Sequence, residues 1–417
     1  MVSTAVAPEA LSYAEARARV LAAVRPLPAR EAPLGEARGR ALRRALIAPH
    51  DLPPFRNSSM DGVGVRSADL VAATAALPVT LEITDEIPAG RAPTKPLTRG
   101  ECQWVMTGAM LPEGADAIVP IEDLEIVGGG TAARIASPVA PGQNVREAGA
   151  DVRAGEAVLA AGRELSAHDV AMLAAFGIAR PAVGPAPRVV ALSTGDELLD
   201  VDAALRPGAI RDSNLPMLIA LLEEAGASAV SAERLADDPD AVSARIARAL
   251  EEADVVITLG GVSAGRHDPV KLGLARLSGI ALWRVAMKPG RPQAFGAPGG
   301  RLFFGLPGNP ASVACVFEAL VRPAIRRLQG FAEIDRPRLA VRAADTIESR
   351  RGRTDFVRVT LAPREDTWWA REAGAQVSGH LAPQSRAHAL LIVPESVERL
   401  APGDRAEALL LRWPHSE

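Results

Sequence analysis

The central third of the chain alternates short apolar runs with longer amphipathic segments, and this alternation constrains the fold more than any other feature. Val, Ile and Leu dominate the runs at 188–195 and 253–261, as in strands that are buried on both faces. The segments 212–227 and 311–328 have the length and the apolar spacing of helices. Strands that alternate with helices predict a parallel α/β domain.

The predicted helix at 212–227 carries signals at both ends. Ser213 or Asn214 is the predicted N-cap, Pro216 lies in the first turn and Gly226 follows the last turn. Ser and Asn side chains accept hydrogen bonds from the free N–H groups of a first turn, and Gly tolerates the left-handed conformation that often ends a helix. These signals fix both ends of the helix from the sequence.

The regions on either side of this domain have a different character. Short β-type runs separated by Gly and Pro turns fill residues 77–135, and similar runs return after Gly330. The predicted fold class is therefore multidomain α/β plus β, with a central parallel α/β domain, a β-rich insert domain and a small C-terminal β domain. The predicted regions are 1–50 with 143–180 (a helical linker domain), 51–142 (β-rich), 181–328 (α/β) and 329–417 (C-terminal β).

Composition and charge argue against several classes of protein. The 417 residues carry a formal net charge of −3, so any site for an anion must be local. No apolar stretch reaches the roughly 18–20 residues of a membrane span. Cys102 and Cys315 are too few for a disulfide framework and are predicted to be buried thiols. The prediction is a cytoplasmic protein that binds neither nucleic acid nor membrane.

Three loops at the carboxyl ends of predicted strands carry polar residues that suit an anionic ligand. Ligands of open α/β sheets bind at this edge of the sheet. The loops are 193–198, with Asp196 and Glu197; 259–269, with Gly260, Gly261 and Ser263; and 305–312, which opens onto a helix N-terminus. Free N–H groups at that terminus favour anions, and Lys288 and Arg291 lie between the second and third loops. An oxyanion pocket is predicted here.

The same loops contain candidate ligands for a divalent cation. Asp196, Glu197 and Asp268 are carboxylates, which Mg²⁺ prefers together with phosphate oxygens and retained waters. The phosphate-binding motif GxxxxGK[ST] is absent, no GxGxxG follows a strand, and no histidine pair has zinc-ligand spacing. One glycine-rich turn is usually structural, so the functional interpretation depends on three such loops occurring in one domain.

Together these loops resemble the molybdopterin molybdenumtransferase family, MoeA, which includes the E domain of gephyrin. The resemblance covers essentially the whole chain, and the central domain resembles the Mog-type domain of an adenylyltransferase. The motifs that carry it, in chain order, are NSSMDG (57–62), DEIPAG (85–90), MTGAMLPEGADAIVP (106–120), GQNVREAGAD (142–151), STGDEL (193–198), DSN (212–214), GGVSAG (260–265), KPGRP (288–292) and GLPGNPAS (305–312).

The resemblance implies a reaction. Such enzymes take adenylylated molybdopterin and molybdate as substrates, cleave the adenylate with Mg²⁺, release AMP and form molybdenum cofactor. It also implies a homodimer of four-domain subunits, whose expected partners are molybdopterin adenylyltransferase and recipient molybdoenzymes.

The resemblance also assigns roles to residues of this chain. The expected molybdate pocket comprises Lys288, Arg291, Ser312, Arg353 and Ser378. The expected pterin–nucleotide site comprises Gly260, Gly261, Ser263, Pro307, Asn309 and Pro310. The residues expected to act in catalysis are Asp61, Thr107, Asp151, Glu197, Asp237 and Asp268, of which Asp268 and Glu197 would also bind the metal. Asp61 is expected to act across the dimer interface, in the partner's cleft.

The chain departs from the family pattern beside several of these residues, and the departures leave the choice between molybdenum and tungsten open. Two alternative functions also remain: the preceding adenylyltransferase step, and a non-catalytic cofactor-binding paralogue or scaffold. The departures are Arg56 for a frequent Asp, Val63-Gly64 for Tyr-Ala, Pro269-Val270 for Tyr-Thr, and Arg291 for a frequent Lys.

Overall fold

The fold is described by a computed structural model that covers residues 8–262, 269–274 and 277–414. The chain divides into two compact units. The larger contains residues 1–44, 161–166 and 180–417, and the smaller contains 45–160 and 167–179. The finer division into four regions stays a prediction. No helix in the described part of the chain is long and apolar enough to cross a membrane.

Helices are few in the first half of the chain and concentrate in the second. The α-helices are α1 (Tyr13–Ala23), α2 (Ala167–Ala175), α3 (Asn214–Glu224), α4 (Pro239–Glu252), α5 (Pro269–Leu274), α6 (Pro310–Val316), α7 (Arg322–Gln329) and α8 (Ala382–Arg386). A π-helical segment, Phe317–Val321, joins α6 to α7. The helix predicted at 311–328 is therefore one helical run with a π-helical segment in its middle.

Strands occur along the whole described chain. Up to residue 183 they are β1 (Glu9–Ser12), β2 (Arg30–Glu31), β3 (Leu46–Ile47), β4 (Asn57–Ser58), β5 (Gly62–Val65), β6 (Val79–Ile87), β7 (Glu101–Val105), β8 (Ala117–Pro120), β9 (Leu124–Val127), β10 (Ala132–Ile135), β11 (Val145–Arg146), β12 (Ala157–Leu159) and β13 (Ala182–Val183). Beyond it they are β14 (Arg188–Thr194), β15 (Leu198–Leu199), β16 (Ile210–Arg211), β17 (Ser228–Leu235), β18 (Val255–Leu259), β19 (Ile280–Lys288), β20 (Pro292–Gly296), β21 (Leu302–Leu306), β22 (Arg338–Ala343), β23 (Ile347–Glu348), β24 (Thr354–Arg364), β25 (Thr367–Glu372), β26 (Ala389–Val393), β27 (Arg399–Leu400) and β28 (Arg405–Leu410).

The smaller unit contains a six-stranded sheet in the order β8-β5-β7-β6-β10-β9. Its core includes Val63, Val65, Cys102, Val119 and Ile135, all with at most 1% of their surface exposed. The β-rich character predicted for this part of the chain is confirmed. Cys102 is buried as predicted, and burial raises the pKa of its thiol to about 12.

The central sheet of the larger unit has the order β17-β14-β18-β21-β20-β19, and its first four strands are parallel. The predicted parallel α/β domain is confirmed, and β20 joins its sheet antiparallel to both of its neighbours. The connection from β19 to β20 is only a few residues long. Parallel neighbours need a long crossover, so this short connection permits only a hairpin.

Helix α3 begins where predicted but with a different capping residue. Ser213 occupies the N-cap position, yet its side chain makes no capping hydrogen bond. The buried carboxylate of Asp212 accepts instead, with Oδ1 2.9 Å from the Asn214 N and 3.0 Å from the Leu215 N. The free N–H groups of the first turn therefore bind a charged acceptor one residue earlier than the predicted cap.

The C-terminal strands extend the central sheet. Strand β24 pairs in parallel with the end of β19, Met287 opposite Thr354 and Lys288 opposite Asp355. Phe356, Leu390 and Leu409 of these strands belong to the same hydrophobic cluster as the core of the α/β sheet. The C-terminal β region therefore packs on the edge of the sheet where the charged residues of the β19–β20 connection lie.

Candidate active site

A cleft of about 1470 Å³ lies in the larger unit, at the carboxyl ends of the parallel strands. Segments that follow β14, β18 and β21 line it, together with the β19–β20 connection and segments 350–353 and 376–379 of the C-terminal region. Drug-sized ligands occupy pockets of about 300–1,000 Å³, so this cleft has room for a larger substrate. It lies where open α/β sheets bind their ligands.

Most of the residues predicted for function line this cleft. Ser263 and Asp268 lie outside the described residues, while Asp61, Thr107 and Asp151 belong to the smaller unit. The predicted residues that line the cleft are Glu197, Asp237, Gly260, Gly261, Lys288, Arg291, Pro307, Asn309, Pro310, Ser312, Arg353 and Ser378.

Two cations of the cleft come from the β19–β20 connection. Lys288 ends β19, Arg291 precedes β20, and both side chains are exposed. Gly290 between them has φ 107°, and a Cβ there would lie 2.3 Å from Cγ2 of Val316. Only glycine therefore fits this close approach to α6, whose last residue is Val316.

The N-terminus of α6 is less open than predicted. Its first residue, Pro310, has no N–H group. The backbone N of Ala311 donates to the Ser378 carbonyl at 3.1 Å. The backbone N atoms of Ser312 and Val313 donate to the Asn309 carbonyl, at 2.9 and 3.0 Å. An anion in the cleft would thus gain the helix dipole without taking up free N–H groups. The charged side chains and hydroxyls must supply most of the binding.

Serine hydroxyls from two regions face this helix start. Oγ of Ser378 accepts a hydrogen bond of 2.9 Å from Nδ2 of Asn309, the N-cap residue of α6. The neighbouring Ser312 lies in the first turn of α6 and is 4% exposed. The two serines and Asn309 therefore form a polar wall, to which two parts of the chain 69 residues apart contribute.

Arg353 is held at the cleft by a buried acid. Nη2 of Arg353 donates to Oδ2 of Asp355 (3.1 Å), and Nε lies 2.7 Å from Oδ1 without hydrogen-bond alignment. The Asp355 side chain is 3% exposed, whereas that of Arg353 is 30% exposed. The acid orients the guanidinium, and the remaining nitrogen can bind an oxyanion.

Three carboxylates lie at one end of the cleft region, after β14 and β17. The N of Asp196 lies 3.4 Å from Oδ2 of Asp237, and the N of Asp237 lies 3.3 Å from Oδ1 of Asp196. Burial, and then the charges of Asp196 and Glu197, raise the pKa of Asp237. Within the described residues no three His, Cys, Asp or Glu side chains come together as a metal site. Glu197 and Asp237 nevertheless line the same cleft.

In the smaller unit, two of the predicted catalytic residues contact each other. The N and Oγ1 of Thr107 both donate to Oδ1 of Asp61, at 2.6 and 2.8 Å. The backbone donor and then the hydroxyl hold the pKa of Asp61 below its usual range, so its exposed carboxylate is ionised at neutral pH. Asp151 is exposed, and its backbone N donates to the Leu52 carbonyl.

Four of the residues that depart from the family pattern have local structural explanations. Nε of Arg56 pairs with Glu147 at 3.0 Å. Val63 is fully buried in β5, and Val270 is fully buried in α5. Proline at position 269 starts α5, where a missing N–H costs no hydrogen bond.

Sequence analysis missed two residues of the cleft as site residues, Asp212 and Asn214. Nδ2 of Asn214 donates to the Gly308 carbonyl at 2.6 Å and so connects the start of α3 to the loop before α6. Oδ2 of Asp212 and Oδ1 of Asn214 are buried without partners within the described residues. The DSN motif, which follows a predicted loop and opens a helix, was the signal that could have identified them.

Comparisons with known proteins agree with this architecture. Three family models match: the MoeA N-terminal region (domains I and II) over residues 11–177, a probable molybdopterin binding domain over 190–327, and the MoeA C-terminal region (domain IV) over 340–411.

Relatives and solved structures match nearly the whole chain. Molybdopterin molybdenumtransferase 2 of Mycobacterium tuberculosis is 37% identical over 94% of this chain and 96% of its own length. Molybdopterin molybdenumtransferase of Nostoc sp. is 35% identical over 91% and 88%. Two structures of the molybdopterin biosynthesis MoeA protein from Pyrococcus horikoshii have TM-scores of 0.83 and 0.81, at 29% and 28% identity, and cover 97% and 96% of this chain and 100% of their own. The chain therefore belongs to the MoeA family.

Proposed function

We propose that this protein inserts molybdate into adenylylated molybdopterin with Mg²⁺-dependent release of AMP. Family membership supports a role in molybdenum cofactor biosynthesis. The observation that carries the finer proposal is the cleft, which combines Lys288, Arg291 and Arg353 with Glu197 and Asp237. Clustered cations suit an oxyanion and a nucleotide phosphate, and nearby carboxylates suit a divalent cation.

The cations and hydroxyls bind molybdate in this proposal. Arg291 and Arg353 offer planar guanidinium groups, Lys288 offers a point charge, and the hydroxyls of Ser312 and Ser378 donate hydrogen bonds. Arg353 is oriented by Asp355 before any ligand arrives, so little side-chain freedom is lost on binding. Gly260, Gly261 and the 307–310 segment allow the pterin and nucleotide to approach the backbone closely.

The carboxylates of the cleft fit a Mg²⁺ ion. Mg²⁺ commonly binds through one or two carboxylates and completes its shell with phosphate oxygens and water. Burial is the main cause of the raised pKa of Asp237, and the charges of Asp196 and Glu197 raise it further. A cation between Asp237, Glu197 and a phosphate would offset both effects. When bound, the ion would neutralise charge on the adenylate phosphate. Asp268 is the other proposed ligand.

The residues of this chain then contribute positioning and charge. Cleavage of the bond to AMP depends on holding the phosphate in line and on stabilising the charge that develops on its oxygens. Lys288 and the arginines supply that stabilisation from around the cleft. Asp61, held ionised by Thr107, is proposed to act in the cleft of a partner subunit. In this proposal the protein is a cytoplasmic homodimer that works with molybdopterin adenylyltransferase and recipient molybdoenzymes.

AMP release tests this proposal. Wild-type protein incubated with adenylylated molybdopterin, Mg²⁺ and molybdate should release AMP, measured by chromatography. Lys288→Met should lower the rate by roughly 100-fold, the cost of removing one stabilising donor. Arg284→Met, which removes an exposed cation on the same strand outside the cleft, should retain the wild-type rate.

Two other results would change the assignment. Persistence of the adenylate, with formation of adenylylated product from molybdopterin and ATP, would identify an adenylyltransferase. Full AMP release by Asp268→Asn would remove the proposed role of that acid, whereas a wild-type protein that neither releases AMP nor forms the adenylate would favour a binding function.

A further inference from the structure

Arg358 is the largest almost fully buried side chain in the described part of the chain, with 2% of its surface exposed. It lies on β24, which belongs to the C-terminal region that contributes one wall of the cleft. Burial lowers the pKa of this guanidinium, so its charge is costly to keep in place. An apolar side chain would fill the same space in the sheet at a lower cost in desolvation.

The guanidinium of Arg358 binds the segment that leaves β25 and returns to the cleft. Its nitrogens donate to carbonyl and amide oxygens of this segment: Nη1 to His380 (3.0 Å), Nη2 to Ala375 and Val377 (both 3.2 Å), and Nε to Oε1 of Gln376 (3.2 Å). No carboxylate takes part in these hydrogen bonds. The planar fork therefore fixes several backbone positions at once, which a lysine could not do.

Gln376 completes the arrangement from the other side. Its Nε2 donates to the carbonyls of Arg358 (3.1 Å) and Gly374 (2.9 Å), while its Oε1 also accepts from the Arg358 N (3.0 Å). Gly374 has φ 136°, in the region that favours glycine. Two side chains, rather than a regular helix or strand, thus determine the path of residues 374–380.

This path determines where Ser378 lies. Ser378 accepts from Asn309 through its hydroxyl oxygen and from the Ala311 N through its carbonyl oxygen. Both contacts reach the first turn of α6, beside Ser312. The cleft wall therefore needs residues 374–380 in one conformation, and the buried guanidinium of Arg358 holds them in that conformation.

We propose that Arg358 and Gln376 are positioning residues, which hold residues 374–380 so that the Ser378 hydroxyl and the start of α6 form the oxyanion wall of the cleft. The identity of the ligand rests on the proposed function. The positioning itself rests on the hydrogen bonds alone.

Hydrogen–deuterium exchange of the full-length protein tests the positioning without any substrate. The hydrogen-bonded amides at this segment, those of Ala311, Ala373 and His380, should exchange at least about tenfold faster in Arg358→Met and in Gln376→Met, because their local opening becomes easier. Arg371→Met removes an exposed arginine (60% exposed) on the neighbouring strand and should leave these amides unchanged. If Arg358→Met does not fold, the exchange rates measured in Gln376→Met test the proposal instead. Unchanged exchange in a folded variant would overturn the proposal.

Titration with inorganic molybdate and AMP-release kinetics test the functional consequence. In both variants molybdate affinity should fall and kcat should drop by roughly 100-fold, as for misplacement of a binding group by about 1 Å, while KM for adenylylated molybdopterin changes little. The conservative variant Arg358→Lys should retain only part of the wild-type molybdate affinity and of the wild-type kcat. Fast exchange with wild-type molybdate affinity would overturn the positioning role. A wild-type protein that neither binds molybdate nor releases AMP would contradict the proposed function, and exchange alone would then decide the role of Arg358.

Discussion

Asp237 shows how neighbouring charges tune a single residue of the cleft. Burial and the charges of Asp196 and Glu197 raise its pKa, so it becomes protonated at a higher pH than an ordinary aspartate. If Asp237 must be ionised to help bind Mg²⁺, AMP release should be lost as the pH falls through this raised pKa. Asp196→Asn removes one negative charge but keeps the backbone N–H that donates to Asp237. The acid limb of the pH–rate profile should therefore move to lower pH.

The matched control for this prediction is Asp202→Asn, an exposed acid in the same part of the chain. Its pH–rate profile should overlay that of the wild type. An acid limb that stays in place or moves to higher pH in Asp196→Asn would show that Asp237 does not control it.

Single residues also show where sequence analysis reaches its limit. Lys288 and Arg291 could be predicted as cleft residues, since both follow a strand and flank a glycine turn. Asp212 could not be predicted as the cap of α3, because Ser213 and Asn214 are equally good caps by residue type. The hydrogen bond of the Ala311 N at the start of α6 was also unpredictable, since its acceptor Ser378 lies far away in sequence.

At the scale of elements, the π-helical segment between α6 and α7 carries a buried acid. Glu318 is 2% exposed and receives two hydrogen bonds from Arg336, at 3.0 and 2.8 Å. Arg336→Met leaves that carboxylate without its main partner, so the free energy of unfolding should fall by about 3 kcal/mol. Arg338→Met, which breaks an exposed pair with Glu407, should cost at most about 1 kcal/mol. Urea denaturation of both variants measures their free energies of unfolding. Equal losses of stability in the two variants would contradict the role of Arg336 as the main partner of buried Glu318.

The strands and helices themselves follow well from the sequence. Apolar runs predicted β14 and β18 close to their observed bounds, because these strands are buried on both faces. The antiparallel direction of β20 does not follow from apolar periodicity, which does not reveal which way a strand runs. Only the short connection from β19 determines it.

For the whole molecule, the proposed function requires residues from both units and from two subunits. Asp61→Asn and Lys288→Met should each abolish most AMP release. If the protein is the proposed homodimer, co-expression of the two variants gives mixed dimers in which one cleft has an intact Lys288 and receives an intact Asp61 from the other subunit. About a quarter of the wild-type activity per site should return if the subunits mix at random. If isolated mixed dimers recover no AMP-release activity, Asp61 does not act on a partner's cleft.

The fold class was predictable because family motifs are spread along residues 57–312 of the chain. The contacts that shape the cleft were not predictable, because they join segments that lie far apart in sequence and a local apolar pattern does not show which segments meet. Arg358 illustrates this: its sequence context is an ordinary strand, and only the fold shows that its guanidinium binds residues 375–380.

The central claim is that this cleft couples AMP release to molybdate insertion. The most direct test is a single-turnover reaction with adenylylated molybdopterin and Mg²⁺, with and without molybdate, in which AMP and protein-bound molybdenum are measured together. The proposal predicts one AMP released for each molybdenum incorporated, and loss of both in Lys288→Met. Protein that releases no AMP under these conditions, or incorporates no molybdenum while AMP is released, would contradict it.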